Sequence, residues 1–302
     1  MTDAESFYRD LFKMMLLILS EEDQRKIRSA KVGLAGLGGV GCPILEVLLR
    51  NGVNHLRIAE VDRYESHNYR QLYCMHTTVG ASKADVATKH SLEVNPYCQI
   101  ELFKEGVTHE NYLEFCQGLD ILCAQADNTS TQLLLEYAAS VCRIPVVNGG
   151  RAGFPDRHTL AIYVRDYRRD DVKFEIEYSM ERRGIQKQLR EALKAQIASG
   201  RVDPELLKEI DQQNSEFRQE TFRRAVLDTP EAISDKDREY LLQVISNNPD
   251  KFHKMAVTPQ GVMIVGAMAA QHVLDIILGR EVNRIAVNIY RGKAYEFSRD
   301  HI

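Results

Sequence analysis

Residues 31–62, KVGLAGLGGVGCPILEVLLRNGVNHLRIAEVD, constrain the fold more than any other stretch of the chain. An apolar run at 32–35 meets Gly36, Gly38, Gly39 and Gly41. An amphipathic stretch at about 43–51 follows, then a second apolar run at 56–59 that ends in Glu60-Val61-Asp62. This order predicts strand, glycine loop, helix, strand and acid. Gly36, Gly38 and Gly41 keep the G-x-G-x-x-G spacing. Glycine there permits a tight turn, close approach of backbone to phosphate, and close packing of helix on strand. N–H groups at the helix start then point at an anion. Glu60 stands 19 residues after Gly41, where a carboxylate accepts hydrogen bonds from ribose hydroxyls. A nucleotide-binding βαβ unit is expected.

Further apolar runs at 100–103, 121–124, 144–147 and 160–164 alternate with helical stretches, notably 83–92 and 131–141. The alternation predicts an α/β fold: a Rossmann-like, mostly parallel sheet with helices on both faces. Residues 1–30 read as a helical segment, with Ser20 as N-cap and Asp23 in the capping-box position. The nucleotide-binding domain is assigned to 31–167. From 168 to 255 glycine nearly vanishes and charges of both signs crowd in. Ile185, Leu189, Leu193 and Ile197 recur every four residues, a helical stripe. Further helices are expected at about 204–226 and 234–246, making an all-helical insertion. An apolar helix at 262–278, closed by Gly279, and an antiparallel hairpin at 284–290 and 294–297 return residues 256–302 to the α/β domain.

The net charge of −4 gives no reason to expect a nucleic-acid partner. No apolar run approaches the ~20 residues of a membrane span. The cysteines are Cys42, Cys74, Cys98, Cys116, Cys123 and Cys142. No two form a C-x-x-C pair, which argues against zinc. Scattered cysteines without a signal-peptide layout read as reduced thiols of a cytoplasmic protein.

In an open parallel sheet, the loops after the strands' carboxyl ends gather over one crevice. Glu60, Asn68, Arg70 and Asp127 all leave strands at that edge, and Lys83 opens the next helix. A nucleotide there would meet an acid for ribose, cations for phosphates and a carboxylate suited to Mg2+. Plain dinucleotide binding needs no such second tier of cations. Asp127 also suits the N-cap of the 131–141 helix. Arg151, after Gly149-Gly150 at a strand end, is a candidate for the substrate carboxylate.

Several motifs occur in order: the glycine loop at 36–41, Glu60-x-Asp62, Asn68 with Arg70-Gln71, Gly80-x-x-Lys83 and Asn95-Pro96. Asp127-Asn128, Pro145 with Gly149, and Pro259 with Gly266, Ala270 and Gly279 complete the series. The combination resembles the ThiF/MoeB-like adenylyltransferases, the catalytic family of ubiquitin-activating-type enzymes. That resemblance implies ATP with Mg2+, and glycines 36, 38, 39 and 41 cradling the phosphates. Glu60, with Asp62, Gln71 and Asn128 nearby, would hold the nucleoside. Asn68, Arg70 and Lys83 would contact phosphates, and Asp127 would meet the Mg2+ carried by ATP. It also implies a homodimer in which an N-terminal arginine crosses to the partner's ATP, with Arg9 as the candidate. The implied reaction activates a carboxylate as acyl-AMP.

Departures from the family pattern narrow the expectation. No cysteine follows Cys142, so no enzyme thioester is expected, and Gln132 replaces the arginine of Asp-Asn-x-x-x-Arg. These favour a small-molecule acid in cofactor or peptide biosynthesis over the C-terminal glycine of a ubiquitin-like or sulfur-carrier protein. Two other readings use the same residues. An NAD-dependent oxidoreductase would use the glycine loop and Glu60 but leave Arg70, Lys83 and Asp127 idle. For a non-catalytic nucleotide-binding scaffold, Gln132 is the best support.

Overall fold

The first strand, β1 (Lys31–Ala35), alternates between two buried faces, as the period of two requires. Val32 and Leu34 join one apolar cluster and Ala35 the other. A sheet covered on both sides follows from this pattern. The computed structural model describes residues 3–151, 159–181, 183–227, 259–282, 285–288 and 293–296, with isolated positions between 236 and 247. The remaining strands are β2 (His55–Ala59), β3 (Gln99–Phe103), β4 (Ile121–Ala124), β5 (Pro145–Arg151), β6 (Thr159–Asp166), β7 (Ile285–Asn288) and β8 (Lys293–Glu296). Among the described residues they form one sheet in the order β3-β2-β1-β4-β5-β6-β7-β8. The pairs from β3 to β5 are parallel and those from β5 to β8 antiparallel. Only seven residues separate β5 from β6, too few for the dozen-residue crossover that a parallel neighbour requires. The winding reverses between β1 and β4, which makes that point the switch where ligands bind in such sheets.

The helices are α1 (Ala4–Phe12), α2 (Glu21–Ser29), α3 (Gly41–Arg50), α4 (Lys83–Val94), α5 (Tyr112–Cys116), α6 (Thr129–Cys142), α7 (Ile176–Glu181), α8 (Lys187–Ser199), α9 (Pro204–Leu227) and α10 (Pro259–Ile277). On one face, Ile44, Leu45, Leu48 and Leu49 of α3 are fully buried against Val265, Ala269, Ala270 and Val273 of α10. Each such leucine contributes about 1.5–3 kcal/mol relative to exposure. On the other face α6 buries Leu133, Leu134, Leu135, Ala138 and Ala139. Met180 of α7, Leu193 and Ile197 of α8, and Leu206 and Ile210 of α9 extend that same cluster outward. The four-residue stripe thus packs the insertion onto α6. Helix α7 has no counterpart among the expected elements. The helix expected at 234–246 lies largely outside the described residues, as does the turn of the C-terminal hairpin. No described helix is long and apolar enough to cross a membrane.

The capping box at Ser20 forms as expected. Ser20 Oγ accepts from Asp23 N at 3.1 Å and Asp23 Oδ2 from Ser20 N at 3.0 Å. Helix α1 sits at the amino edge of the sheet. Tyr8 donates to Asn54 Oδ1 (2.5 Å) and accepts from Asn95 Nδ2 (3.1 Å). Asn54 immediately precedes β2, and Asn95 lies just ahead of β3.

Candidate active site

Two glycine positions in the loop, Gly36 and Gly41, are dictated by close approach of backbone. Gly36 has φ +101°, a left-handed region that favours glycine, and a Cβ there would stand 2.6 Å from Gln125 O. A Cβ at Gly41 would stand 2.0 Å from Gly36 O, because the turn closes on itself. At Gly39 it would press on Val262 of α10 at 3.0 Å. Gly38 differs: nothing lies within 4 Å of an added Cβ. The loop is closed toward the protein and open above Gly38. Helix α3 begins without a side-chain cap, so its positive end is presented to the crevice.

Glu60 is buried, and both its carboxylate oxygens answer backbone donors. Oε2 accepts from Leu37 N at 2.6 Å and Oε1 from Asp62 N at 2.8 Å. One acid thus ties the glycine loop to the exit of β2. A carboxylate offers about four acceptor sites, and these bonds use two.

The chain after Glu60 makes a closed excursion. Lys83 N donates to Asp62 O (2.9 Å), Tyr64 N to Ala81 O (2.9 Å) and Gly80 N to Tyr64 O (2.7 Å). Within it Asn68 is buried and its Oδ1 accepts from Glu65 N at 2.9 Å. Arg70 is half-buried, with Nη1 on His67 O at 3.2 Å. Gln71 is buried, and its Oε1 has no hydrogen-bond partner. Leaving a buried acceptor unsatisfied costs about 1–3 kcal/mol, which a ligand donor would relieve. Lys83, first residue of α4, is only 5% exposed and its Nζ lies 2.9 Å from Asp62 Oδ2. Asp62, expected beside the nucleoside, is therefore also the counter-ion of Lys83.

Asp127 and Asn128 follow β4 at the switch point, both exposed. The N-cap of α6 is Asn128 rather than Asp127, and its side chain makes no capping bond. The insertion supplies the cap instead. Asp211 of α9 accepts from Ser130 N at 2.8 Å and Ser130 Oγ at 2.5 Å. Thr129 Oγ1 donates to Asn214 Oδ1 at 2.6 Å. Gln132 donates to Ala126 O at 2.6 Å and accepts from Arg183 at 3.3 Å. The sequence reading missed Asp211, Asn214 and Arg183. One signal was present: Asn214 falls four residues after Ile210 and eight after Leu206, a polar residue in an apolar stripe.

The structure brings the glycines, Glu60, Asp62, Asn68, Arg70, Gln71, Lys83, Asp127 and Asn128 to the carboxyl edge of the sheet. Arg151 ends β5 at that edge, opposite Leu160. Arg9 is apart from them. It is exposed on α1 at the amino edge, about 16 Å away by the length of a five-residue strand. Burial pushes the thiols of Cys42, Cys98, Cys116 and Cys123 up to about 12. Cys42 adjoins the glycine loop, with Sγ 3.2 Å from Leu37 O, yet burial holds it in the inert thiol form.

The ThiF family profile matches residues 12–302. The chain belongs to the ThiF family. Among relatives of this ThiF chain, the sulfur carrier protein adenylyltransferase of Thermus thermophilus is 34% identical over 138 residues, 45% of this chain and 51% of that protein. The adenylyltransferase and sulfurtransferase MOCS3 of Drosophila yakuba is 33% identical over 129 residues, 42% of this chain and 28% of that protein. The chain thus spans about half of these relatives or less. Among solved structures, PaaA aligns with a TM-score of 0.62 at 14% identity, covering 99% of this chain and 84% of that one. Escherichia coli MccB, solved with ATP, aligns with a TM-score of 0.57 at 15% identity, covering 91% and 65%. These structural likenesses establish a shared fold.

Proposed function

We propose that this ThiF-family chain is an adenylyltransferase that activates a substrate carboxylate with ATP, giving acyl-AMP and pyrophosphate without an enzyme thioester. The observation that carries this reading is convergence at one switch point. The glycine loop, the acid tied to it, and the second tier of Arg70, Lys83 and Asp127 share the same sheet edge. The names of the relatives support it.

In the reaction a carboxylate oxygen attacks the α-phosphorus in line. The new O–P bond forms as the bond to the bridging oxygen breaks, and pyrophosphate leaves with that electron pair. No proton moves and no protein group becomes covalently bound. The protein's task is positioning and charge neutralisation. The α3 start and the open backbone at Gly38 would take phosphates. Glu60 would accept from ribose hydroxyls, and Gln71 Oε1 from another nucleoside donor. The amide of Asn68 and the guanidinium of Arg70 would meet phosphate oxygens. Lys83, held by Asp62, adds fixed positive charge. Asp127 fits Mg2+ because it is a hard oxygen donor, exposed at the crevice edge. Mg2+ bound there with ATP would neutralise phosphate charge. The role proposed for Arg151, at the end of β5, is to meet the substrate carboxylate.

The substrate class proposed is a small-molecule acid, since α7 to α9 pack closely over the start of α6. A protein C-terminus is the second reading. The Thermus thermophilus relative is named for a sulfur carrier protein, and MccB is solved with AMPCPP and MccA. The enzyme would work as a cytoplasmic homodimer. Because Arg9 is remote from its own crevice, its proposed role is across the dimer.

Exchange of labelled pyrophosphate into ATP tests this with a panel of small acids and peptides ending in glycine. Exchange that depends on one carboxylate class is expected. ATP binding without exchange for any member would favour the scaffold. Mixing Arg9→Ala with Asp127→Asn should restore activity in mixed dimers; a stable, inactive mixed dimer removes Arg9 from the reaction.

A further inference from the structure

Helix α9 meets the start of α6 in a fixed register. Asp211 bonds Ser130 and, three residues on, Asn214 bonds Thr129. Advancing along α9 therefore moves back along α6. Asn214 Nδ2 also donates to Arg183 O at 2.8 Å, fixing the end of the α7 turn to the same point. Residues 211, 214 and 218 share one helix face, at i, i+3 and i+7. The register carries Arg218 past Thr129 toward Asp127, and its charge interacts there with Asp127 and Asp211. Arg218 is half-buried. Burial draws its guanidinium below its ordinary range, against the pull of those two carboxylates, yet an arginine remains charged. A second cation of the insertion reaches α6. Arg183 reaches Gln132 Oε1 and is anchored on Ser179 O at 2.9 Å. Both arginines belong to the insertion, and both approach the segment in which Gln132 replaces a family arginine.

We infer that Arg218 is a further catalytic residue, supplied by the helical insertion within the same chain, which contacts phosphate oxygens of ATP beside Asp127. The inference rests on the adenylation reading. Without nucleotide, Arg218 and Asp127 balance each other's charge. With ATP bound, phosphate oxygens become the partner of Arg218, and the planar guanidinium fork matches them in a way a lysine does not. No bond is made or broken at Arg218; it holds negative charge where pyrophosphate departs.

The test is competitive binding of ATP·Mg2+, AMP and adenosine to wild type, Arg218→Gln, Arg218→Lys and Arg224→Gln. Arg224 lies on the same helix but is exposed and paired with Glu220 at 2.7 Å. Arg218→Gln should weaken ATP·Mg2+ by about 10–100-fold, the loss of a charge-assisted hydrogen bond, while adenosine changes less than about twofold. Arg218→Lys should recover part of the affinity and Arg224→Gln should match wild type. Wild-type ATP affinity in Arg218→Gln overturns the inference, as does an equal loss for ATP and adenosine, which marks a structural role. If Arg218→Gln fails to fold, Arg218→Lys carries the test. A weakening of about 3–10-fold is expected there, and wild-type affinity overturns the inference. If wild type itself binds no ATP·Mg2+, the adenylation reading fails first and takes this inference with it.

Discussion

From β1 to Glu60, the contacts that shape the crevice are backbone approaches, closed by one carboxylate that accepts two peptide N–H groups. From α7 to α9, the contacts with the same crevice edge are made by side chains reaching across to α6. The first region is specified by residues near one another in sequence. The second depends on where one helix lands on another, 81 residues away for Ser130 and Asp211. Where backbone closes on backbone, as at Gly36 and Gly41, almost no added atom is tolerated, whereas surface built from side chains fails when a partner is removed.

The largest expected effect is at the meeting point of the two regions. Asp127→Asn should reduce pyrophosphate exchange by about 10²–10³-fold, the usual loss for a preorganised electrostatic group. Its melting temperature should fall only slightly, because the half-buried Arg218 loses one of the two carboxylates that oppose its charge. A large fall in melting temperature would mean that Asp127 holds the fold together instead.

Next come two glycines of the loop. Gly41→Ala places a methyl 2.0 Å from Gly36 O and should destabilise by at least the ~1–3 kcal/mol of an overpacked site, read from the urea midpoint. Gly38→Ala meets nothing, so it should leave the midpoint unchanged and weaken ATP about tenfold through close approach of the phosphates. Equal midpoints for the two variants would break the distinction between closed and open sides of the loop.

On the insertion side, Asp211→Ala removes the acceptor of Ser130 N and Oγ. A loss of about 1–3 kcal/mol is expected from such orphaned donors, with faster amide exchange at Ser130. Unchanged exchange there would mean that α9 does not cap α6.

The smallest effect lies on α3, away from the crevice. Glu46 accepts from Arg50 (2.6 Å) and Tyr73 (2.9 Å) and pairs with His90 (2.6 Å). Burial pushes its carboxyl up, but the hydrogen bonds together outweigh burial and hold it below its ordinary value of 4.5. Its folded value is below its unfolded one. The associated stability is therefore present above pH 4.5 and lost as pH falls through the folded value. Glu46→Gln should lower the melting temperature at pH 7 and flatten its acid dependence. An unaltered acid limb would remove Glu46 from the account.

How much was legible in the sequence follows the same division. The βαβ unit, the Ser20 capping box and the helical stripe from Ile185 to Ile197 were readable because each rests on neighbours within a few turns. The strand at β6 was readable, but its direction depended on the short connection from β5. Glu60, Lys83 and Asp127 could be assigned to one edge from strand order alone. The Lys83–Asp62 pair could not, since nothing local says which carboxylate a buried lysine meets. Asp127 fitted the N-cap by local rules. The position fell to Asn128, and the cap came from Asp211, because a docked helix supplied a better acceptor. Arg218 was invisible for the same reason: its placement is a helix–helix register, which no short spacing encodes.

Calorimetric titration of the wild-type protein with ATP·Mg2+ and with NAD bears most directly on the central claim. The open face at Gly38, the second tier of Arg70 and Lys83, and the exposed carboxylate of Asp127 predict that ATP·Mg2+ binds more tightly than NAD and that Asp127→Asn weakens it. NAD binding more tightly than ATP·Mg2+, with Asp127→Asn indifferent, would contradict the adenylation reading.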